Sequence, residues 1–337
     1  MRKLMTLIAC ACAPLLVSAQ APTPSAAIPP ERPKRPGVST PGVRIPITKL
    51  KPAAIYQVPG APDWMSVDKE VWVSNEPKNT VSRLDPATNA VTTYTVGKAP
   101  CSGLAAGFGS LWVPNCGDST VMRLDLKDGK TQATLPMTIA DSEGGVATGA
   151  GSFWVLTDKK GTLARVDPAT NKVVAEIYVA PGSYAVAFGG GAVWVTSTEK
   201  NLLTRVNAQT NVIEETISVG PKPRFLTVGE GAVWTLNQGD GSITRVDLKT
   251  NKVVATIEAG IPGGGGEISA GEGSVWATVF EYPITRIDPS TNRVAQQFYG
   301  AGGDSIRAGG GWIWLTDIRG GTIWRIDPKR VLATLAE

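Results

Sequence analysis

Short runs of hydrophobic and β-branched residues, separated by turn-forming residues, fill the chain from about residue 53 onward. In one representative stretch the runs are 223–228, 232–236, 242–247 and 252–257, with Gly, Asn and Asp clusters between them. Runs of this length and composition are typical of β-strands. No segment shows the sustained 3.6-residue periodicity of a helix. The pattern therefore predicts groups of four short antiparallel strands.

Two sequence markers repeat in phase along this region. An Arg-apolar-Asp triplet follows each marker tryptophan by about ten residues, and Asn207 replaces the aspartate in one copy. Seven copies of about 40 residues predict an all-β fold, a seven-bladed β-propeller of four-stranded antiparallel blades covering residues 53–337. The marker tryptophans are Trp72, Trp112, Trp154, Trp194, Trp234, Trp276 and Trp314.

The way in which the ring closes is less obvious from the pattern. Strand-like segments occur both before the first blade, at 55–58, and after the last, at 331–335, which makes eight outermost strands for seven blades. We expect the N-terminal strand to complete the final blade.

The N-terminal region differs in composition from the repeats. A basic start, an apolar stretch and the small residues Val17-Ser18-Ala19 predict a signal peptide over residues 1–19, and hence an exported, periplasmic or extracellular protein. Lipid anchoring at Cys10 stays open. Residues 20–52 contain nine prolines and predict a disordered linker. We interpret it as a spacer, the alternative being contact of a basic cluster with an anionic polymer. That cluster is Arg32, Lys34 and Arg35.

Composition narrows the classes of function. The net charge of +4 over 337 residues is too balanced to indicate nucleic-acid binding. The apolar part of the leader is too short for a transmembrane span. Histidine is absent, which removes the commonest general base and the commonest transition-metal ligand. We predict no cofactor and no metal site, and we expect a monomer.

The repeated residues are interpreted as structural. Gly-x-Gly clusters such as 107–109 and 229–231 run into strands, whereas a phosphate-binding loop needs a following helix, so they predict hairpin turns. The tryptophans predict packing between blades rather than a stacking platform. Cys101 and Cys116 lie symmetrically about one hairpin turn and predict a disulfide, with a metal site as the poorer alternative.

Function in a repeat fold belongs where the copies differ. The loops that enter the innermost strands and leave the second strands meet at one end of the central channel, and here they carry mixed charges and aromatic rings. Such a surface suits a small polar-aromatic ligand or a peptide loop, the alternative being ordinary solvated loops. The candidate ligand-binding residues are Asp63, Trp64, Glu143, Tyr184, Arg224, Phe225, Glu267, Glu281, Asp304 and Arg307.

The Arg-[Leu/Val/Ile]-Asp-Pro-x-Thr-Asn copies, followed by Lys/Arg-Val-Val-Ala-x-Ile, resemble the YVTN family of bacterial propeller repeats, with Trp-Val in place of Tyr-Val. The layout is also similar to that of the streptogramin B (virginiamycin B) lyases. That resemblance implies a Mg²⁺-assisted elimination that uses a channel-face histidine. This chain has no histidine to take that role, so no catalytic residue is assigned.

Three hypotheses follow from the sequence. The first is an exported scaffold that binds a small ligand or a protein partner through its channel-face loops. The second is a lyase-like enzyme with Mg²⁺ held by carboxylates such as Glu267, Glu281 and Asp304. A quinoprotein dehydrogenase-like propeller ranks last, because no residue pattern indicates a quinone cofactor.

Overall fold

A computed structural model describes residues 35–101, 103–140 and 143–335. Two strands precede the first blade, β1 (Arg44–Pro46) and β2 (Ala54–Gln57), with a short 3₁₀ helix (Ile47–Lys49) between them. A helix, α1 (Pro328–Ala333), follows the last blade. No helix in these described ranges is long and apolar enough to cross a membrane. The predicted signal peptide, its Cys10 and linker residues 20–34 lie outside them.

The rest of the described chain forms seven sheets. Each sheet contains the four antiparallel blade strands that the sequence predicts. Blades 1 to 3 consist of β3 (Ala61–Val67), β4 (Val71–Glu76), β5 (Thr80–Leu84) and β6 (Val91–Thr95); β7 (Ala105–Gly107), β8 (Ser110–Asn115), β9 (Thr120–Asp125) and β10 (Thr131–Pro136); and β11 (Val146–Gly149), β12 (Ser152–Leu156), β13 (Thr162–Asp167) and β14 (Lys172–Tyr178).

Blades 4 and 5 repeat the same plan. They consist of β15 (Ser183–Gly189), β16 (Ala192–Ser197), β17 (Leu202–Asn207) and β18 (Ile213–Ser218); and β19 (Pro223–Gly229), β20 (Ala232–Asn237), β21 (Ser242–Asp247) and β22 (Val253–Glu258).

Blades 6 and 7 also include the N-terminal strands, β1 in blade 6 and β2 in blade 7. Their own strands are β23 (Glu267–Gly271), β24 (Ser274–Val279), β25 (Glu281–Asp288) and β26 (Arg293–Gly300); and β27 (Ile306–Gly309), β28 (Trp312–Asp317) and β29 (Thr322–Ile326).

The innermost strands contact one another in a closed circle from β3 through β7, β11, β15, β19, β23 and β27 back to β3. β2 pairs antiparallel with β29 and supplies the fourth strand of blade 7, so the expected N-terminal closure is confirmed. The strand predicted at 331–335 is wrong: Pro328–Ala333 is helical, because Pro lies in the first turn and the Asp327 carboxylate caps the helix through the backbone N–H of Lys329.

Residues 35–52 differ from the disordered linker predicted for them. β1 pairs in parallel with β26 as a fifth strand of blade 6, and Ile45 is fully buried beside it. The Arg35 guanidinium donates to the carbonyl oxygens of Pro262, Gly264 and Phe280 at 2.6–2.7 Å. Arg35 is therefore a buried structural contact of blade 6 rather than part of an exposed basic cluster.

Five of the seven marker arginines bond to the next blade, whereas Arg205 and Arg286 bond within their own blades. All seven tryptophans are at most 1% exposed, and each lies directly opposite its blade's marker arginine. The Arg245 guanidinium lies 4.9 Å from the Trp234 ring centre and donates to Pro289 O at 2.6 Å and Asn292 Oδ1 at 2.7 Å. Because those acceptors belong to the Asp-Pro turn of blade 6, the arginine of blade 5 joins the two blades.

Hydrogen bonds within the Asp-Pro turns stabilise the conformation of these turns. The Asp167 carboxylate accepts from Ala169 N at 2.8 Å, and Asn171 has the positive φ of 58° that closes the turn. These bonds favour the ionised carboxylate, so they lower the pKa of Asp167. The structural interpretation of both repeated markers agrees with these contacts.

The predicted disulfide is confirmed. Cys101 and Cys116 are bonded, with 5.8 Å between their Cα atoms, at the two ends of the first hairpin of blade 2. Backbone bonds run alongside it, from Cys101 N to Pro114 O and from Cys116 N to Ala99 O, each 2.9 Å long.

The inter-blade role of the marker arginines predicts the effect of Arg245→Lys. A lysine keeps the charge but loses the planar donor pair that reaches both acceptors and stacks on Trp234. We expect a loss of about 1–3 kcal/mol in the free energy of unfolding, measured by denaturant titration. Arg293→Lys, at an exposed position of β26, makes the same substitution and should change stability by less than about 0.5 kcal/mol. Equal losses in both variants would contradict the assignment.

Candidate functional site

The candidate residues meet where the innermost strands begin, and local backbone irregularities direct several of them. The ladders of blades 1, 4 and 5 are interrupted by register shifts at Pro62/Met65, Ser183/Val186 and Pro223/Phe225. An extra residue in a strand re-aims a side chain that regular pleating would place elsewhere. Four of the candidates lie inside these irregularities: Asp63, Trp64, Tyr184 and Arg224.

The deepest layer of the site is an aromatic core. Trp64 is 5% exposed and Phe225 is 2% exposed, and their ring centres are 6.0 Å apart. The Tyr184 ring meets Phe225 edge-on at 6.1 Å. Trp64 and Phe225 were predicted as ligand-binding rings, but the structure uses them to fill the channel. A cavity lined by Phe225, Glu267 and Arg307, among other residues, has a volume of about 40 Å³, which is enough for a few water molecules and far below the size of a small-molecule pocket.

A buried ion pair forms the floor on the opposite side of the channel. Glu267 is 3% exposed and pairs with Arg307, and its carboxylate also accepts from the Ser305 hydroxyl and from Ile306 N at 3.1 Å. Burial raises the pKa of Glu267, and Arg307 opposes that shift. Both oxygens of this carboxylate are thus engaged within the fold.

A second ion pair lies nearer the surface. Arg224 Nη2 is 2.6 Å from Glu143 Oε2, and the guanidinium lies 4.7 Å from the Tyr184 ring centre. Burial raises the pKa of Glu143 even though Arg224 opposes the shift. Burial together with the Glu143 charge raises the pKa of Tyr184 to about 12. The tyrosine is therefore a neutral hydroxyl at physiological pH.

The mouth of the channel is acidic where blade 1 meets blade 7. Asp63 and Asp304 occupy equivalent positions in these neighbouring blades, and their carboxyl groups are close enough for the charge of one to disfavour ionisation of the other. Burial raises the pKa of Asp63 well above its usual range, and the Asp304 charge adds to that rise. Burial and Asp304 also raise the pKa of Glu76. The mouth therefore holds carboxyl groups that resist ionising together.

Glu281 lies on the third strand of its blade, whereas the other candidates lie on or just before innermost strands. It is exposed at the start of β25 and pairs with Gly300 on β26. The sequence grouped it with Glu267 and Asp304 as a possible Mg²⁺ ligand. In the described part of the chain no group of three or more Cys, Asp or Glu side chains is arranged to hold a metal ion.

Sequence reasoning missed one element beside the site. The glycine-rich loop 262–266 is held by Arg35 from one side, and Gln238 Nε2 donates to Gly265 O at 2.7 Å from the other. An available signal was the alternation of apolar residues at Val43, Ile45 and Ile47, which indicates that the preceding segment docks on the propeller.

Comparisons with known proteins support the fold. A streptogramin B lyase structure aligns with a TM-score of 0.68 and 20% identity, over 81% of this chain and 96% of that chain. A catalytically inactive histidine-to-alanine variant of virginiamycin B lyase from Staphylococcus aureus, solved with quinupristin, aligns with a TM-score of 0.69 and 18% identity, over 81% and 99% of the two chains. The selenomethionine-substituted form of that lyase aligns with a TM-score of 0.68 and 18% identity over the same shares.

No protein-family model matches the chain, and no curated protein sequence matches it. At 18–20% identity the likeness shows the fold, a propeller of the kind found in the streptogramin B lyases. The YVTN resemblance is consistent with this fold and stays a prediction.

The raised pKa of Asp63 at the channel mouth predicts how Asp63→Asn changes the stability of the protein. A carboxyl whose pKa is raised on folding binds a proton more tightly in the folded state, so its stabilisation is present at low pH and is lost as pH rises through the raised pKa. An asparagine side chain does not ionise, so it avoids the unfavourable ionisation of Asp63 at neutral pH. We expect Asp63→Asn to raise Tm by about 2 °C or more at pH 7.5 and to have little effect near pH 3.5.

The matched control for this measurement is Asp167→Asn, which replaces a carboxylate whose pKa is lowered by its turn bonds. It should give no gain in Tm at pH 7.5. A gain of the same size in both variants, or a gain for Asp63→Asn that persists at pH 3.5, would contradict the electrostatic explanation.

Proposed function

We propose that this protein is a binding module without catalytic chemistry, whose channel mouth accepts a cationic group. That group is an ammonium or guanidinium carried by a small ligand or by a side chain of a protein partner. The observation that carries the proposal is the Asp63–Asp304 carboxyl pair, whose repulsion also extends to Glu76. A cation placed among these groups favours their ionised forms and relieves the repulsion, and this supplies binding free energy.

The surroundings of the pair favour recognition at the surface rather than inside the channel. Trp64 and Phe225 are almost fully buried, and the cavity of about 40 Å³ beside Phe225 is too small for an organic ligand. Arg224 is already neutralised by Glu143, and Arg307 by Glu267, so the mouth keeps an acidic character. An acidic mouth also disfavours nucleic-acid phosphates.

The proposal includes an exported location. A disulfide between Cys101 and Cys116 is typical of proteins that fold in an oxidising compartment. Together with the signal peptide expected over residues 1–19, it supports a periplasmic or extracellular site of action. The monomeric state expected from the sequence belongs to the same proposal.

Spermidine, a slender trivalent cation, tests the mouth directly by calorimetric titration at low ionic strength and pH 7.5. We expect saturable binding that weakens at least about tenfold in the Asp63→Asn/Asp304→Asn double variant, because neutral amides remove the attraction. Binding should also weaken as pH falls, because protonation of the raised-pKa carboxyls neutralises the site.

The control is a double variant with the same change in net charge, Glu176→Gln/Glu258→Gln, on exposed outer strands. Its spermidine affinity should stay within about twofold of the parent. If both double variants lose affinity equally, binding depends on net charge and the mouth is not the site. If neither variant loses affinity, the proposal fails.

A lyase is the second candidate, because the fold is shared with a virginiamycin B lyase that was solved with quinupristin. The residues present do not fit the chemistry implied by that resemblance. The chain has no histidine, and Glu267 is committed to Arg307 and Ser305. We therefore derive no catalytic step through Mg²⁺.

The lyase alternative is tested by incubating the protein with quinupristin and Mg²⁺. We expect only the intact cyclic compound after overnight incubation. Liquid chromatography with fragmentation mass spectrometry distinguishes the ring-opened isomer, which has the same mass as the parent. Appearance of that isomer in proportion to protein concentration would establish the enzymatic function over the binding one.

A further inference from the structure

Arg224 already places a cation inside the channel mouth. Its Nη2 atom is 2.6 Å from Glu143 Oε2, and its Nη1 atom donates to Gln238 Oε1 at 3.4 Å. The guanidinium lies 4.7 Å from the centre of the Tyr184 ring and 5.4 Å from that of Phe225. A carboxylate beside the face of an aromatic ring is an arrangement that binds guanidinium and quaternary ammonium groups. The mouth thus contains a cation site whose occupant is a side chain of the protein itself.

Three other blades enclose this guanidinium. Glu143 precedes the first strand of blade 3, and Tyr184 lies on the first strand of blade 4. Gly264 of the loop before blade 6 lies alongside, because a Cβ atom at that position would be 3.5 Å from Arg224 Nη1. The carbonyl oxygen of Gly264 accepts from Arg35 at 2.6 Å, so this wall of the site is itself anchored.

The site of Arg224 is electrostatically continuous with the acidic part of the mouth. Burial raises the pKa of Glu143, Arg224 opposes that rise, and the charges of Asp304 and Glu76 add to it. Glu143 therefore belongs to the same acidic region as the Asp63–Asp304 pair. We call Glu143 and Tyr184 the ring end of this region, and Asp63, Glu76 and Asp304 its carboxyl end. Arg224 fills the ring end and leaves the carboxyl end to a ligand.

We infer that Arg224 is a specificity-determining residue that reserves the mouth for cations with N–H groups. This specificity rests on the proposed function, cation binding at the mouth. Because Arg224 covers the Tyr184 ring, an incoming cation meets the carboxyl end, whose oxygens accept hydrogen bonds from ammonium or guanidinium N–H groups. A quaternary ammonium has no N–H group and binds best against aromatic faces. The protein therefore selects primary ammonium and guanidinium groups and rejects quaternary ammonium groups.

Butylammonium and tetramethylammonium are the probes, because these two cations are isomers with the same charge. Saturation-transfer NMR titrations at low ionic strength and pH 7.5 measure the affinity of each. We expect the parent protein to bind butylammonium at least about tenfold more tightly than tetramethylammonium. The ratio of the two affinities is the readout, since a change in net charge alters both affinities alike.

Arg224→Ala uncovers the Tyr184 ring and releases Glu143. Tetramethylammonium is no larger than the part of the side chain that this substitution removes. We expect its affinity to rise at least about tenfold and the preference for butylammonium to be lost. Adding Tyr184→Leu should abolish most of this gain, because leucine has no aromatic face. Arg224→Ser makes the same truncation and serves as a second variant.

The matched control is Lys200→Ala. Lys200 lies in an exposed turn between the second and third strands of blade 4, at the same end of the propeller. The substitution removes one positive charge, as Arg224→Ala does, but uncovers no ring beside a carboxylate. Its affinity ratio should stay within about twofold of the parent value.

Three results would overturn the inference. The first is a parent protein that binds both isomers equally. The second is an unchanged affinity ratio in whichever of Arg224→Ala and Arg224→Ser keeps the circular dichroism spectrum of the parent. The third is a gain that persists fully when Tyr184→Leu is added.

The proposed function fails in a different way. If the parent binds neither spermidine nor butylammonium, the cationic mouth is wrong and the specificity falls with it. If the parent binds spermidine through Asp63 and Asp304 but the Arg224 variants keep its preference for butylammonium, only the role of Arg224 is wrong.

Discussion

The stacking of an arginine on a tryptophan, with the guanidinium reaching into the neighbouring blade, is the contact on which this propeller depends. Each blade is a sheet that cannot cover its own faces, and the tryptophan fills the wedge between two of them. In blades 2, 5 and 7 the arginine opposite it also bonds to the Asp-Pro turn of the next blade, as Arg123 does with Pro168 and Asn171. Arg325 makes the same contact with Pro86 and so joins blade 7 to blade 1.

This contact also explains why the repeat could be recognised from the amino-acid sequence alone. A ring of equivalent interfaces requires the same tryptophan, arginine and turn residues in nearly every copy. The number of blades and the order of their strands could therefore be predicted from the periodicity of the sequence. The segment over 35–52 was harder to interpret, because its proline content resembles that of a linker and its partners lie more than 200 residues away. Local composition does not report such distant contacts.

In the candidate site, too, features set by the local sequence could be predicted, whereas features set by contacts between distant residues could not. Positions at the channel end followed from the repeat, and nine of the ten candidates do line that end or its core. Their roles did not follow, because burial and pairing depend on neighbouring blades. Trp64 and Phe225 fill the channel, and Glu267 is bound by Arg307. Glu281 is exposed at the start of the third strand of its blade.

The fourth strand of blade 7 is contributed by β2, from the opposite end of the sequence. During ribosomal synthesis this strand is made before any of the blades, yet its hydrogen-bonding partner β29 is among the last segments made. Through that interval blades 1 to 6 accumulate as an open arc whose terminal sheets expose unsatisfied apolar surface. Completion of the circle is thus the most non-local event in folding, and a nascent chain halted before β29 has no means of achieving it.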